Sequence, residues 1–221
     1  MTPRCSLSQR LIKLPPIFEE ERWIKPRAQF PVGADFVGGV INGKLVLWGG
    51  TQKELNGKLN YLPTNVVYTY TPGQSGDKTD KWESITVVGY EHPGKARAGF
   101  TVLNDLIYLI GGYDYKRGAI TFNDISTLSV DGKFTRLPKP TVEDVPLLPR
   151  AQAEAWSYND SVYFFGGQIY HEDYSTSNGL AFNFIDKTYK FNTLTNKTTL
   201  LLTKGDFHNK TDQLRFECLN I

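Results

Sequence analysis

The clearest feature of this sequence is a hydrophobic pattern that occurs three times in phase. The copies are GVINGKLVLWGG (39–50), TVLNDLIYLIGG (101–112) and WSYNDSVYFFGG (156–167). In each copy an asparagine lies seven residues before the first glycine of a Gly-Gly pair, at Asn42, Asn104 and Asn159. Asn-Gly and Asn-Asp tolerate the left-handed backbone of a tight hairpin turn, and the residues that follow are apolar as in a buried strand. Each copy therefore predicts a strand, a tight turn, a second strand and a glycine pair.

A polar loop and a third strand-like stretch follow each glycine pair. These stretches begin at Asn65, Asp124 and Asp186. The first unit then has Trp82, the second has Phe134 in that place, and the third has Thr198 and Thr199. The first glycines of successive pairs are separated by 62 and 55 residues. Such a period is typical of a repeat in which each unit is one small sheet.

This layout resembles the kelch family, in which a Gly-Gly pair follows a hydrophobic run. The resemblance covers about residues 30–205 and predicts an all-β fold, a kelch-type β-propeller of about three four-stranded blades in an incomplete ring. It divides the chain into a lead-in with a candidate blade-closing strand (1–29), three repeats (about 30–88, 89–140 and 141–203) and a truncated tail (204–221). The resemblance implies a structural role for the six glycines of the Gly-Gly pairs: Gly49, Gly50, Gly111, Gly112, Gly166 and Gly167.

Three blades are fewer than a closed propeller needs, since these rings typically have roughly four to eight. An open arc leaves unpaired sheet edges, through which we expect self-association. Two explanations stay open. One is a truncated product, such as a short isoform, an incomplete gene model or a fragment. The other is a dimer of half-rings that forms one six-bladed propeller.

Composition and charge limit the classes of partner and the cellular compartment that we expect. The formal net charge of +2 does not call for nucleic acid or an anionic membrane as partner. Cys5 and Cys218 lie near opposite ends and make no disulfide framework, which fits a reducing compartment. No secretory signal and no run of 18 apolar residues is found. We expect an intracellular protein, cytoplasmic or nuclear.

Candidate catalytic chemistry is scarce. His92, His171 and His208 have no metal-ligand spacing, and neither a Gly-x-Ser-x-Gly elbow nor a phosphate-binding glycine loop with Lys-Ser/Thr is present. Some kelch propellers are enzymes, such as the copper-dependent galactose oxidases, but no counterpart of their ligands is found. The sequence predicts a non-catalytic protein-protein interaction module without metal or cofactor. A propeller enzyme is the least favoured alternative.

The expected binding face follows from strand parity. If the strands of a blade are labelled a to d, the long b–c loops and the d–a connections lie on one face, and loops on a rigid scaffold carry function. Two arginines precede strand a, Arg97 and Arg150, and arginine holds carboxylates through two parallel hydrogen bonds. The loop tyrosines are candidate contact anchors: Tyr61, Tyr113, Tyr115, Tyr170 and Tyr174. For each of these side chains, packing within or between blades is the alternative.

A closer resemblance rests on LWGG (47–50), YLPTNVVYTY (61–70), KWESI (81–85), Trp156 and the FFGG run with Tyr170 three residues after it. These stretches are similar to the kelch-domain-containing substrate receptors of cullin-RING ubiquitin ligases. The resemblance implies recognition of peptide C-termini, with Tyr170 and Arg150 near the ligand carboxylate. A structural or scaffold kelch protein without a ligase role is the alternative.

Overall fold

The described residues of the protein form three consecutive four-stranded antiparallel sheets. In the computed structural model, the structure describes residues 34–53, 59–61, 65–72, 81–90, 95–114, 120–170 and 182–201. In each sheet the four strands, labelled a to d, are adjacent in chain order, so each sheet is a meander. Within the described residues, the predicted all-β, kelch-type fold with three four-stranded blades is confirmed.

The strands are numbered in chain order. The first repeat contains β1 (Val37–Ile41), β2 (Lys44–Trp48), β3 (Thr51–Lys53), β4 (Leu59–Tyr61), β5 (Val66–Thr71) and β6 (Lys81–Thr86). The second contains β7 (Gly99–Leu103), β8 (Leu106–Ile110), β9 (Tyr113–Asp114), β10 (Ile120–Thr121), β11 (Ile125–Ser129) and β12 (Phe134–Arg136). A short hairpin follows, formed by β13 (Thr141–Val142) and β14 (Val145–Pro146). The third repeat contains β15 (Glu154–Tyr158), β16 (Ser161–Phe165), β17 (Gln168–Tyr170), β18 (Phe182–Phe184), β19 (Thr188–Asn192) and β20 (Lys197–Leu201).

The predicted tight turns join strand a to strand b in every blade. In the first turn the φ angles of Asn42 and Gly43 are 50° and 74°, and Asn104 and Asp105 have 50° and 57° in the second. Asn159 has a φ of 49° in the third. This left-handed backbone suits a two-residue hairpin, because its twist matches that of the flanking strands.

Neighbouring blades pack face to face. Strand alternation places Val46 and Trp48 on the face of blade 1 that contacts blade 2, where they form a buried cluster with Ile107 and Leu109. The ring centroid of Trp48 lies 5.7 Å from that of Phe134 on the outer strand of blade 2. A second buried cluster joins blades 2 and 3, and its members include Tyr108, Ile110, Val162, Phe164 and Phe191. Most of the hydrophobic core therefore lies in these two interfaces between neighbouring blades, which we call blade joints.

The first two glycine pairs lie where the backbones of successive blades meet. The Gly50 N–H donates to the Lys95 carbonyl over 2.9 Å, and the Gly112 N–H donates to the Arg150 carbonyl over 2.8 Å. A Cβ atom at Gly49 would lie 2.7 Å from the Lys95 carbonyl oxygen, which is too close for any residue but glycine. The predicted close approach of strands at these glycines is thus an approach between blades.

Additional hairpins at the base of the b–c loops were not predicted. β3 pairs with β4, β9 with β10 and β17 with β18, and β13–β14 adds another hairpin before blade 3. Their strands are only two or three residues long. Alternation over so few residues is too short to be recognised as a strand pattern.

A buried ion pair inside blade 2 gives a first testable prediction. The Lys95 side chain is 1% exposed, and its Nζ lies 3.0 Å from Asp124 Oδ1 and 5.0 Å from the Phe122 ring centroid. Asp124→Asn removes the counter-charge of a buried ammonium, so we expect it to lower the free energy of unfolding by about 2 kcal/mol. Urea denaturation measures this change. Asp186→Asn is the matched control, since Asp186 precedes the corresponding strand of blade 3 but is exposed, and an equal loss in both variants would contradict the prediction.

Candidate functional site

Each strand a is preceded by the same two-residue element. An alanine occurs fifteen residues before the first glycine of each pair, at Ala34, Ala96 and Ala151. These alanines form isolated β-bridges with the residue that follows the glycine pair of their own repeat: Ala34 with Thr51, Ala96 with Tyr113 and Ala151 with Gln168. The residue after each alanine is left-handed, with φ of 60° at Asp35, 55° at Arg97 and 56° at Gln152. The three repeats therefore present one side chain each from an equivalent position.

Backbone hydrogen bonds connect these three positions in series. The Arg97 N–H donates to the Asp35 carbonyl over 3.0 Å, and the Gln152 N–H donates to the Arg97 carbonyl over 2.7 Å. Arg97 Nε also donates to Asp35 Oδ2 over 3.1 Å, with both side chains half-buried. The side-chain amide of Gln168 donates a hydrogen bond to the side-chain oxygen of Gln152. We call Asp35, Arg97 and Gln152 the rim.

The rim lies on the face that carries the b–c loops. Strand a starts just after each rim residue, and strand b ends at the glycine pair that opens the b–c loop. Because strands a and b are antiparallel, both events occur at the same end of the blade. The topology thus gathers the d–a connections and the b–c hairpins on one face, as strand parity predicted.

A cleft of about 460 Å³ opens along the rim. Its lining comes from all three repeats: Asp35, Phe36, Arg97, Ala98, Phe100, Gln152, Ala153, Glu154 and Ala155. Phe36, Phe100, Gln152 and Glu154 are exposed. The described residues that line a second cleft, of about 360 Å³, belong to blade 2: Phe122, Asn123, Asp124, Arg136, Leu137 and Lys139. We name the first cleft the mouth cleft. We take it as the candidate site because all three repeats contribute residues to its lining.

Of the two predicted arginines, Arg97 lies in the mouth cleft and Arg150 does not. Arg150 is completely buried; its Nε and Nη1 donate to the carbonyls of Leu148 and Gly166 over 3.3 and 3.4 Å. Its guanidinium carbon lies 4.5 Å from the Tyr189 ring centroid and 5.1 Å from that of Phe164. Burial lowers the pKa of Arg150, and Tyr189 partly opposes that shift. This placement fits the packing role left open for Arg150.

The predicted contact tyrosines are only partly described. The side chain of Tyr113 is buried, which fits packing within the blade. The backbone of Tyr170 ends β17 and pairs with Phe182. The side chains of Tyr170 and Tyr61, and the whole of Tyr115 and Tyr174, lie outside the described residues. A binding role for these side chains stays a prediction.

Sequence reasoning missed most of the mouth cleft. Asp35, Gln152, Phe36, Phe100 and Glu154 were not among the candidate residues. A sequence signal exists for the rim residues Asp35 and Gln152, since each directly follows an alanine that is in phase with the glycine pairs, but this signal does not identify Phe36, Phe100 or Glu154. In the part of the chain that the structure describes, no group of three or more His, Cys, Asp or Glu is placed to hold a metal ion, and no helix is long and apolar enough to span a membrane.

Comparisons with known proteins bear on the fold. Neither a family model nor a curated protein matches the sequence. A solved structure titled "Structure of YjhT", a kelch propeller, matches with a TM-score of 0.51 and 14% identity, over 77% of this chain and 51% of that chain. The matched part spans about half the length of YjhT, and at this identity the likeness is one of fold alone. The described part of the chain thus has the fold of three consecutive blades of a kelch-type β-propeller.

Proposed function

We propose that this chain is a non-catalytic protein-interaction module that binds a peptide segment of a partner in the mouth cleft. The observation that carries the proposal is the convergence of the three repeats. Each one delivers a polar side chain from the same backbone position to one rim, beside two exposed phenylalanine rings. Concave sites with apolar walls and a few fixed polar groups are the usual form of a ligand site.

The chemistry of the mouth cleft favours a peptide that carries both an apolar side chain and a polar group. Phe36 and Phe100 offer rings that lose water when an apolar ligand side chain covers them. Asp35 holds Arg97 in one orientation through the bond between Oδ2 and Nε. A guanidinium that is oriented before binding loses less entropy when a ligand docks.

The finer proposal is that the ligand group at Arg97 is a carboxylate, such as a peptide C-terminus. A guanidinium is the group best suited to a carboxylate, because its planar N–H groups match the two oxygens. A role as the substrate receptor of a ubiquitin ligase belongs to this finer proposal and rests on the sequence resemblance. The alternative is a scaffold kelch protein that docks on one large folded partner.

Peptides selected from a random library with free C-termini test the proposal. We expect Phe100→Ala to raise the Kd of a selected peptide at least about tenfold, since an aromatic hot-spot residue typically contributes about 2 kcal/mol or more. Arg97→Gln should weaken binding of the free-acid peptide more than binding of its C-terminal amide. Isothermal titration calorimetry measures each Kd.

The matched control is Arg136→Gln. Arg136 is an exposed arginine on β12, outside the mouth cleft, and its loss removes the same charge. Equal effects of Arg97→Gln and Arg136→Gln would exclude the carboxylate proposal, and so would equal binding of acid and amide. Peptide binding that is unchanged in Phe100→Ala would exclude the mouth cleft itself. Capture of one folded partner without any peptide ligand would favour the scaffold alternative.

A further inference from the structure

The charges of the mouth cleft are not balanced. Among the described residues that line it, there are two carboxylates, those of Asp35 and Glu154, and one guanidinium, that of Arg97. Arg97 Nε donates to Asp35 Oδ2 over 3.1 Å, so these two opposite charges are already paired with each other. Glu154 is exposed, and no hydrogen bond or ion pair joins it to another described residue. Its carboxylate is therefore the charge in the mouth cleft that a ligand can neutralise.

The backbone holds Glu154 at a defined place beside Phe100. Strands β7 and β15 contact each other across the joint between blades 2 and 3. The Gln152 N–H donates to the Arg97 carbonyl over 2.7 Å, and a side-chain hydrogen bond further along the two strands also joins positions that are 55 residues apart. With this offset Glu154 lies level with Gly99, one residue before Phe100. The side chains of Glu154 and Phe100 both line the mouth cleft.

The aromatic rings of the mouth cleft add to its preference for a cation. Phe36 is 37% exposed and Phe100 is 39% exposed, so both rings are accessible to a ligand. The face of a phenylalanine ring attracts an ammonium or guanidinium group that lies within about 6 Å of the ring centroid. The apolar stem of a lysine or arginine side chain can cover such a ring while its charged end contacts a carboxylate.

A neutral apolar ligand side chain would use only part of this chemistry. It would cover the rings and take water away from Glu154 without giving the carboxylate a partner, and an unpaired charge that loses water is unfavourable. An acidic side chain in the same place would be repelled by Glu154. The mouth cleft therefore discriminates between peptides by the sign of their charge.

We propose that the peptide bound in the mouth cleft carries a lysine or arginine side chain, whose cation contacts Glu154 and whose stem packs on Phe100. This inference rests on the proposed binding of a peptide in the mouth cleft. It does not depend on whether the ligand group at Arg97 is a carboxylate.

The peptides selected from the random library are the probes that test this inference. We expect lysine or arginine at one position of the peptides that bind the wild-type chain. A neutral side chain of the same length at that position, norleucine for lysine or citrulline for arginine, should raise the Kd at least about fivefold. This factor corresponds to the loss of one ion pair and one cation–π contact at a partly exposed site. Isothermal titration calorimetry measures both Kd values.

Variants of Glu154 show whether this carboxylate is the group that the cation contacts. In Glu154→Gln the basic peptide and its neutral analogue should differ in Kd by less than about twofold, because the interaction that distinguishes them has been removed. Glu154→Lys should reverse the preference and favour a peptide with glutamate at the same position. Binding of that acidic peptide also demonstrates that the variant folds.

The matched control is Glu143→Gln, at an exposed glutamate in the turn between β13 and β14, outside the lining of the mouth cleft. It should retain the full preference for the basic peptide. A preference that persists unchanged in Glu154→Gln overturns the inference. Peptides that lose affinity in Phe100→Ala but show no preference for a basic side chain also overturn it, and they leave the proposed function intact. A selection in which no peptide depends on Phe100 overturns both.

Discussion

Replacing Gly111 with alanine is expected to lower the free energy of unfolding by about 4 kcal/mol. The φ of Gly111 is 60°, where a Cβ adds roughly 1–2 kcal/mol of strain. The Cβ would also overlap the carbonyl oxygen of Arg150. That oxygen accepts the hydrogen bond of Gly112, so it cannot move away without breaking the joint between blades 2 and 3. Urea denaturation followed by circular dichroism measures the loss.

Gly43→Ala is the matched control for this prediction. Gly43 has a similar φ of 74°, but a Cβ there would have no atom within 4 Å. We expect a loss of about 1 kcal/mol, from backbone strain alone. Losses of the same size in the two variants would mean that the glycine pair is needed only for its conformation and not for the contact between blades.

Truncation of Arg150 to alanine is expected to lower the free energy of unfolding by about 3 kcal/mol. The change removes a side chain that fills the space above the rings of Phe164 and Tyr189, and it leaves two carbonyl groups without their donor. Arg150→Met keeps the volume and removes a buried charge that is expensive to desolvate, so it should cost less than about 1.5 kcal/mol. Thermal and urea unfolding distinguish the two variants.

The control for Arg150 is Arg136→Ala, at an exposed arginine, which should change stability by less than about 0.5 kcal/mol. A loss in Arg150→Met as large as in Arg150→Ala would show that the charge and its carbonyl bonds dominate over packing. Stability also decides how ligand assays are interpreted. A peptide that no longer binds Arg150→Ala reports on the blade joint as much as on the mouth cleft.

The fold could be predicted because its main constraints are local. A tight a–b turn needs left-handed residues, which Asn42 and Gly43 supply, and a blade joint needs glycine, which Gly49 and Gly111 supply. Each requirement restricts the residue type at a fixed spacing. The short hairpins of the b–c loops have no such requirement, since bridges of two or three residues accept many side chains.

The candidate site could be predicted only in part, because its residues share a position and not a residue type. Arg97 and Arg150 were grouped as two arginines that precede strand a. Their phase differs, since Arg97 follows the alanine of its repeat and Arg150 precedes one. Arg150 corresponds instead to Lys95, and both of these cations are buried beside aromatic rings. Relative to the alanine of each repeat, the positions of Arg97 and Arg150 thus differ by two residues. The first position places its side chain in the rim, and the second buries its side chain.

The hydrogen bonds that join the three rim residues do not depend on the side chains that the rim carries. Main-chain atoms of positions 35, 97 and 152 connect the blades, so exchange of the side chains there does not remove those bonds. The left-handed backbone still restricts the residue type at these three positions, and it favours Asn, Asp and Gly. Substitutions of the three rim side chains should therefore leave the scaffold intact, and a small combinatorial library at these positions would vary the surface of the mouth cleft without loss of the fold.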